Sequence, residues 1–555
     1  MMFKRWVAAI FPFMNRQHEA GSSGQSSGSG QHNKDQQPQQ KQKAQPNPEG
    51  KPITSVLSQT VDYLNRALGS GPDFMLKTIG ETPEAPVRLA IAFIDGLVDA
   101  KQVIKLTQHW IEAGLKQETV SEEAAQRIIE HLPVDGIKAV YTKQELVNSI
   151  LAGKTALMMD GFPGAFTASL PGGVRRSVEE PTSQTVIRGP KEGFTEDIST
   201  NISLLRRKIR SPDLCFTEKT IGRYTQTRVA MAYIEGVADP AAVKEISARL
   251  DAIDTDSILE SGYIEEFIQD GVYTPFPTVF STERPDTVAA GMLEGLVGIL
   301  VDGTPFALVA PVTFFKFFNS SEDYYQRYDI SSFLRMVRFF SFLVAMLLPS
   351  LYIAVTTFHQ EMLPTTLLIS IAAQREGTPL PAVLEALVME FTFEIIREAG
   401  VRMPRAIGPA ISIVGALVLG QAAVQAGLVS AAMVIVVSFT AISNFVLPAI
   451  NMASAVRLLR FMFMFLAGTL GLFGILVGAI PLLVHLVSIR SFGVPYMTPL
   501  APIDLSAMKD FLIRVPWWKM KRRPKMYAKG NLVRQSVSKP DTRQDFVKRV
   551  KDELE

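Results

Sequence analysis

Cysteine is almost absent from these 555 residues. Cys215 stands alone, which excludes a disulfide framework within the chain and any metal site built on paired cysteines. Histidine is scarce too, with six scattered residues and no metal-ligand spacing among them. Neither sign of charge dominates: 56 Lys and Arg face 54 Asp and Glu, for a net charge of +2. The basic residues do not gather into a stripe with interleaved aromatics, so nothing points to nucleic acid. The G-x-S-x-G and H-E-x-x-H motifs are missing. Gly153-Lys154-Thr155 ends like a phosphate-binding loop, but that motif needs glycine where Asn148 stands, and a strand pattern follows where it needs a helix. Neither an enzyme nor a cofactor is expected.

What is present is unevenly distributed. Hydrophobic residues make up 47% of the chain, yet the first 330 residues read as soluble, 339–489 as strongly apolar, and 491–555 as a basic cytoplasmic tail. The N-terminal MMFKRWVAAIFPFM is broken by Pro12 and followed by no small-residue cleavage site, so a leader or short interfacial anchor is expected rather than a signal peptide. Residues 1–54, rich in Gln, Ser and Gly, are expected to be a disordered tether.

The soluble part repeats itself. RLAIAFIDGLVDAKQV (88–103) matches RVAMAYIEGVADPAAV (228–243), and Asp160-Gly161-x-Pro163 matches Asp302-Gly303-x-Pro305. Apolar runs followed by helical stretches predict α/β units, giving two repeated α/β subdomains over 55–180 and 181–330. The repeat also decides EGLVGILVDGTPFALVAPVTFFKFF (294–318), which is apolar enough to resemble a membrane span. An apolar run, Asp-Gly and a second run is a hairpin signal, so Asp302, Gly303 and Pro305 are expected at a cytoplasmic turn. The aromatics of 312–318 are left either buried or touching a bilayer. Between the copies, Thr195 is an expected N-cap of a helix ending in Arg206, Arg207 and Lys208.

Residues 331–490 are expected to form an all-α polytopic membrane domain with about four spans, near 339–358, 406–424, 428–447 and 461–489. Segment 363–402 is expected to hold amphipathic helices. Glu385, Glu390, Glu394 and Glu398 lie on it, the last three spaced four apart and so on one helix face. A solvated interfacial face is one reading. Carboxylates lining an aqueous pathway in an oligomer is the other. Four spans leave Arg397, Arg402, Arg405, Arg457 and Arg460 outside, against the positive-inside trend.

STERPDT (281–287), ILVDGTPFALVAP, FFNSSEDYY (317–325), RGPKEGFTED (188–197), TNISLLRRKI (200–209) and PSLYIAVTTFHQEMLPTTLL (349–368) together resemble the GerA family, the A subunits of bacterial spore germinant receptors. The resemblance covers about residues 55–525. It makes Glu283, Arg284, Pro285 and Asp286, with Asp302, Gly303 and Pro305, a candidate structural motif. It implies a multi-pass protein of the inner spore membrane with its N-terminal domain and C-terminal tail cytoplasmic. It also implies a homo-oligomer forming a nutrient-gated cation channel, with a permease-like, nutrient-binding B subunit and a lipoprotein C subunit as partners. On that reading the four glutamates are the candidate pore-lining residues. A secondary transporter, or a non-conducting scaffold of the receptor complex, stay open as alternatives.

Overall fold

The computed structural model describes residues 51–535, apart from 70, 81–87, 115–136, 173–179, 182–183, 272 and 404–417. Residues 1–50 of the expected tether lie outside the described residues, as does most of the 406–424 run. The tether's last residues, 51–54, instead pack on the first copy, with Ile53 buried and its N–H donating to Tyr141 O at 2.8 Å.

The duplication reaches every element. The first copy contains α1 (Leu57–Leu68), β1 (Phe74–Ile79), β2 (Leu89–Ile94), α2 (Ala100–Gly114), β3 (Lys138–Val140), α3 (Lys143–Leu151), β4 (Thr155–Met159) and β5 (Ala165–Ala168). The second contains α4 (Ile198–Lys208), β6 (Leu214–Ile221), β7 (Thr227–Ile234), α5 (Pro240–Asp251), α6 (Ser261–Ile268, whose equivalent stretch in the first copy lies outside the described residues), β8 (Phe280–Thr282), α7 (Pro285–Glu294), β9 (Val297–Val301) and β10 (Ala307–Ala310). Strand order is β1-β2-β4-β5-β3 in one sheet and β6-β7-β9-β10-β8 in the other. All pairings are antiparallel, where strand-then-helix units alone would also suit a parallel sheet.

Alternation of side chains along a strand puts successive residues into opposite cores. Ala230 and Ala232 pack under α4 and α7 with Ile202, Leu205, Val288 and Met292. Val229 and Met231 pack on the other face with Ile246, Leu250, Ile264 and Ile268. Both faces of the sheet are therefore dry, which is why VGILV is continuously apolar and imitates a span. The 294–318 stretch is the predicted hairpin, with Leu308 paired to Ile299 and Val309 to Gly298. Gly303 takes φ +88° at its turn, as Gly161 takes +89° in the first copy.

Each turn aspartate also starts a helix. Asp160 Oδ1 accepts from Leu57 N at 2.9 Å, and Asp302 Oδ1 from Ile198 N at 3.1 Å. The next glycine repeats the match, with Gly161 N donating to Ser55 O at 2.8 Å and Gly303 N to Glu196 O at 2.7 Å. The carboxylate supplies one of the partners that the first amides of a helix lack. The N-cap of α4 is Asp197, which accepts from Thr200 N, not Thr195, whose hydroxyl is within hydrogen-bond distance of Asn201 Oδ1. The cations expected at the helix end are there. Arg206 is buried and makes a two-pronged bond to Asp73 of the first copy, at 2.7 and 2.9 Å.

The helical layer follows. It comprises α8 (Tyr328–Thr357), α9 (Thr365–Glu376), α10 (Ala382–Arg402), α11 (Ala431–Phe445) and α12 (Ile450–Ser488). Among the described residues α8 and α12 are long and apolar enough to cross a membrane; four spans do not appear as such. The 428–447 run forms a helix of only 15 residues. The 461–489 run belongs to a helix that reverses at Gly471, where φ is +63° and ψ −141°. A Cβ on Gly474 would lie 2.0 Å from Leu466 O, and one on Gly478 2.9 Å from Phe463. Residues eight or more apart in a straight helix are separated by about 12 Å or more, so 472–488 lies back against 450–470.

Candidate functional site

The layer has one end against the second sheet and one end away from it. At the sheet end Asn451 Nδ2 donates to Glu265 Oε1 at 3.2 Å, and His485 Nε2 lies 2.8 Å from Thr274 Oγ1. At the other end Gly471 abuts Phe358 and His359. Helix α12 thus leaves the sheet and returns to it. Helix α10 runs against its first half: Val383 packs at Gly468, Glu390 meets Arg460 and Glu394 meets Arg457.

All four glutamates of α10 find partners. Glu385 is fully buried and accepts from Ser430 N at 2.5 Å and Ser430 Oγ at 2.6 Å. Glu390 is fully buried and accepts from Arg460 Nη1 at 2.6 Å, while Arg460 Nε donates to Ala345 O at 2.7 Å. Glu394 takes Arg457 at 3.0 Å and Arg397 at 2.8 Å. Only Glu398 is exposed, paired with Arg402. The solvated interfacial face expected of this helix is therefore not what forms. Its open stripe is apolar (Leu384, Val388, Phe391 and Ile395), and its acids point inward. Arg457 and Arg460 lie more than sixty positions from the acids they meet, beyond what the periodicity of one helix reports. One oxygen of each inner acid, Glu385 Oε2, Glu390 Oε1 and Glu394 Oε1, is buried without a partner among the described residues. A polar track therefore extends along α10 through an apolar layer.

The 283–286 motif sits where the sheet meets this layer. Pro285 opens α7 at its first turn, where a missing N–H costs nothing. Arg284 is buried and grips Asp286 at 3.1 and 2.8 Å. It also donates to Gln184 O at 3.2 Å and to Pro190 O at 2.8 Å, tying the inter-copy segment to the sheet. Tyr325 donates to Asp286 Oδ2 at 2.6 Å, and burial with this carboxylate holds its phenol above the ordinary value. Glu283 is buried and its carbonyl accepts from Phe194 N at 2.8 Å. Thr304, between Gly303 and Pro305 at the hairpin turn, donates to Glu260 at 2.9 Å.

Beside the motif, Asp323 binds Arg335 at 3.1 Å and Arg338 at 2.7 Å, and Arg335 reaches Asp510 at 2.7 Å. This fastens the start of α8 to the C-terminal segment. Phe314, Phe315, Phe317 and Phe318 are all buried and pack mainly edge to face against Phe342, Tyr496 and Phe511, so these aromatics face protein rather than a bilayer. Glu294 lies between Lys316 at 3.0 Å and Arg534 at 3.2 Å. Burial opposes its charge, and the two cations more than offset that, leaving its carboxyl below the ordinary value.

The family model for the Bacillus/Clostridium GerA spore germination protein matches residues 62–526. The chain belongs to the GerA family. Spore germination protein KA of Bacillus subtilis (strain 168) is 47% identical over 485 residues, covering 87% of this chain and 89% of that protein. Spore germination protein GerLA of Bacillus cereus is 39% identical over 482 residues, covering 86% and 97%. The crystal structure of the N-terminal domain of the A subunit of the Bacillus megaterium spore germinant receptor GerK3 is 34% identical. It covers 48% of this chain and 98% of its own, with a TM-score of 0.38.

Among the described residues of this GerA chain, no group of three or more His, Cys, Asp or Glu is placed to hold a metal ion. Sequence reasoning singled out the acids of α10 and missed the residues that answer them: Ser430, Arg457 and Arg460. The clue lay in the five arginines that four spans stranded on the wrong side.

Proposed function

We propose that this chain is the A subunit of a nutrient-responsive germinant receptor, that its helical layer lies in the inner spore membrane, and that copies of it assemble into a cation channel. The observation that carries this reading is the row of inward acids on α10. Ionisable groups within an apolar layer are costly and are kept for ion pathways or for gating. Arg460 and Arg457, held against these acids, would block such a pathway until they move. The exposed stripe of Leu384, Val388, Phe391 and Ile395 supplies an apolar face for a second copy or for lipid. A permease-like B subunit and a lipoprotein C subunit complete the receptor.

The membrane arrangement we infer has α8, α10, α11 and the two halves of α12 as passes, with the chain leaving α10 at the sheet end beside Arg457 and entering α11 at the other end beside Glu385. At roughly 1.5 Å per residue, 21-residue α10 spans about 31 Å, the thickness of a bilayer core. This order keeps the sheets and the C-terminal segment on one side, and it brings Arg397, Arg402 and Arg457 to that side as well, in line with the positive-inside trend.

Spores carrying Glu390→Gln with Glu394→Gln, at normal protein level, are expected to lose most nutrient-triggered ion release. Unchanged germination and ion efflux would sink the pathway. Because an unpaired buried arginine costs about 3–5 kcal/mol, the double variant Glu390→Met with Arg460→Met separates folding from conduction: it is expected to accumulate normally and still fail to release ions.

A further inference from the structure

A cavity of about 360 Å³ opens where the helical layer meets the second sheet, within the size range of small-ligand sites. Arg284, Arg397 and Arg457 line it, together with Asn319, Ser321 and Asn444, and among the described residues no carboxylate is on its wall. Two acids stand behind the arginines, Asp286 on Arg284 and Glu394 shared by Arg397 and Arg457. Three cations against two acids leave the pocket positive. Three buried wall atoms, Ser321 Oγ, Asn444 Oδ1 and Arg457 Nε, find no partner among the described residues. Asn444 is itself only 8% exposed. An unanswered buried polar atom costs about 1–3 kcal/mol, and three around one positive cavity are unanswered together.

We propose that this cavity binds a phosphate-bearing anion. The hydroxyl of Ser321 and the N–H groups of Arg457 and Arg397 are donors suited to phosphate oxygens. The Asn444 amide joins them once turned over so that its N–H₂ faces the pocket. The phosphate belongs either to a lipid headgroup or to a free solute. The cavity lies at the level headgroups occupy in the inferred membrane arrangement, and that arrangement is needed only for the first source.

The test uses the full chain in phosphatidylcholine nanodiscs. One arm adds inorganic phosphate and follows thermal unfolding; the other replaces part of the lipid with phosphatidylglycerol and counts retained lipids by native mass spectrometry. A rise in melting temperature with phosphate assigns a free-anion site, and selective retention of phosphatidylglycerol assigns a headgroup site. Arg457→Gln is expected to weaken whichever ligand binds by about tenfold or more. Asn444→Leu and Ser321→Ala, which leave the Glu394 ion pairs alone, are expected to weaken it several-fold while the unliganded melting temperature is kept. Overturning results are no response to either ligand, or a response that Asn444→Leu and Ser321→Ala leave at the wild-type level.

Discussion

Asp302 shows how one side chain serves two levels of structure. Its backbone shapes the hairpin turn, while its carboxylate caps a helix more than a hundred positions earlier. Asp302→Ala is expected to cost about 1–2 kcal/mol, with Asp160→Ala close behind, read as a fall in the unfolding midpoint of the full chain. Asp302→Asn, which keeps the oxygen, is expected to recover most of the loss. Glu265 makes a second residue-scale prediction. Burial, with Glu260 nearby, raises its carboxyl to about 7. A group whose pKa is raised on folding stabilises the fold fully below its unfolded value of about 4.5. That contribution fades as pH climbs through 7. Thermal unfolding of wild type against Glu265→Gln, from pH 4.5 to 8, should therefore show wild type losing ground to the variant as pH rises. A constant difference across that interval would rule the titration out.

At the scale of elements, the hairpins and the copied sheets were legible because their signals are local: an Asp-Gly between apolar runs, recurring at a fixed distance. The helical layer was not. A glycine inside an apolar run looks ordinary, since glycines are frequent in membrane helices, and nothing local marks Gly471 as the one that reverses the chain. The usable hint was the set Gly468, Gly471, Gly474 and Gly478, small residues that let backbones approach. A side chain on Gly471 would meet His359 at 2.8 Å and Phe358 at 2.9 Å, and its left-handed φ is costly for any other residue, about 1–3 kcal/mol. Gly471→Val is expected to abolish normal accumulation of the protein, while Gly377→Ala, in open space, leaves it intact; immunoblots of membranes decide it. The partners of the acids of α10 escaped for the same reason. Periodicity says which residues share a face, not which face another helix covers.

For the whole molecule, the proposed membrane order is testable by labelling. In a Cys215→Ser background, cysteines replacing Arg402 and Lys529 should react with an impermeant reagent from the side of the sheets. Cysteines replacing Thr366 and Gly377 should react from the opposite side. A four-pass arrangement with 363–402 lying on the outer surface predicts Arg402→Cys on the same side as Thr366→Cys instead. The C-terminal segment, foreseen as a basic cytoplasmic tail, is built into the second sheet domain as far as residue 535: Ala528 pairs with Ala238, and Lys529 reaches Asp239 at 2.6 Å. Only its long-range partners could have shown this.

The two points where the chain passes between sheet and helices are themselves bonded to each other. Phe314 N donates to Tyr496 O at 2.8 Å, and Val312 N to Ser491 Oγ at 3.0 Å. Seen from the sheet, everything in between is a single excursion that departs from and arrives at one spot, like a domain inserted into a surface loop. Such an insertion can be cut out. A chain in which a short Gly/Ser bridge joins Phe318 to Ile489 would keep both sheets and the C-terminal segment that completes the second. It would be a version of the chain without its apolar helical layer, obtained by deleting the middle of the protein rather than its end.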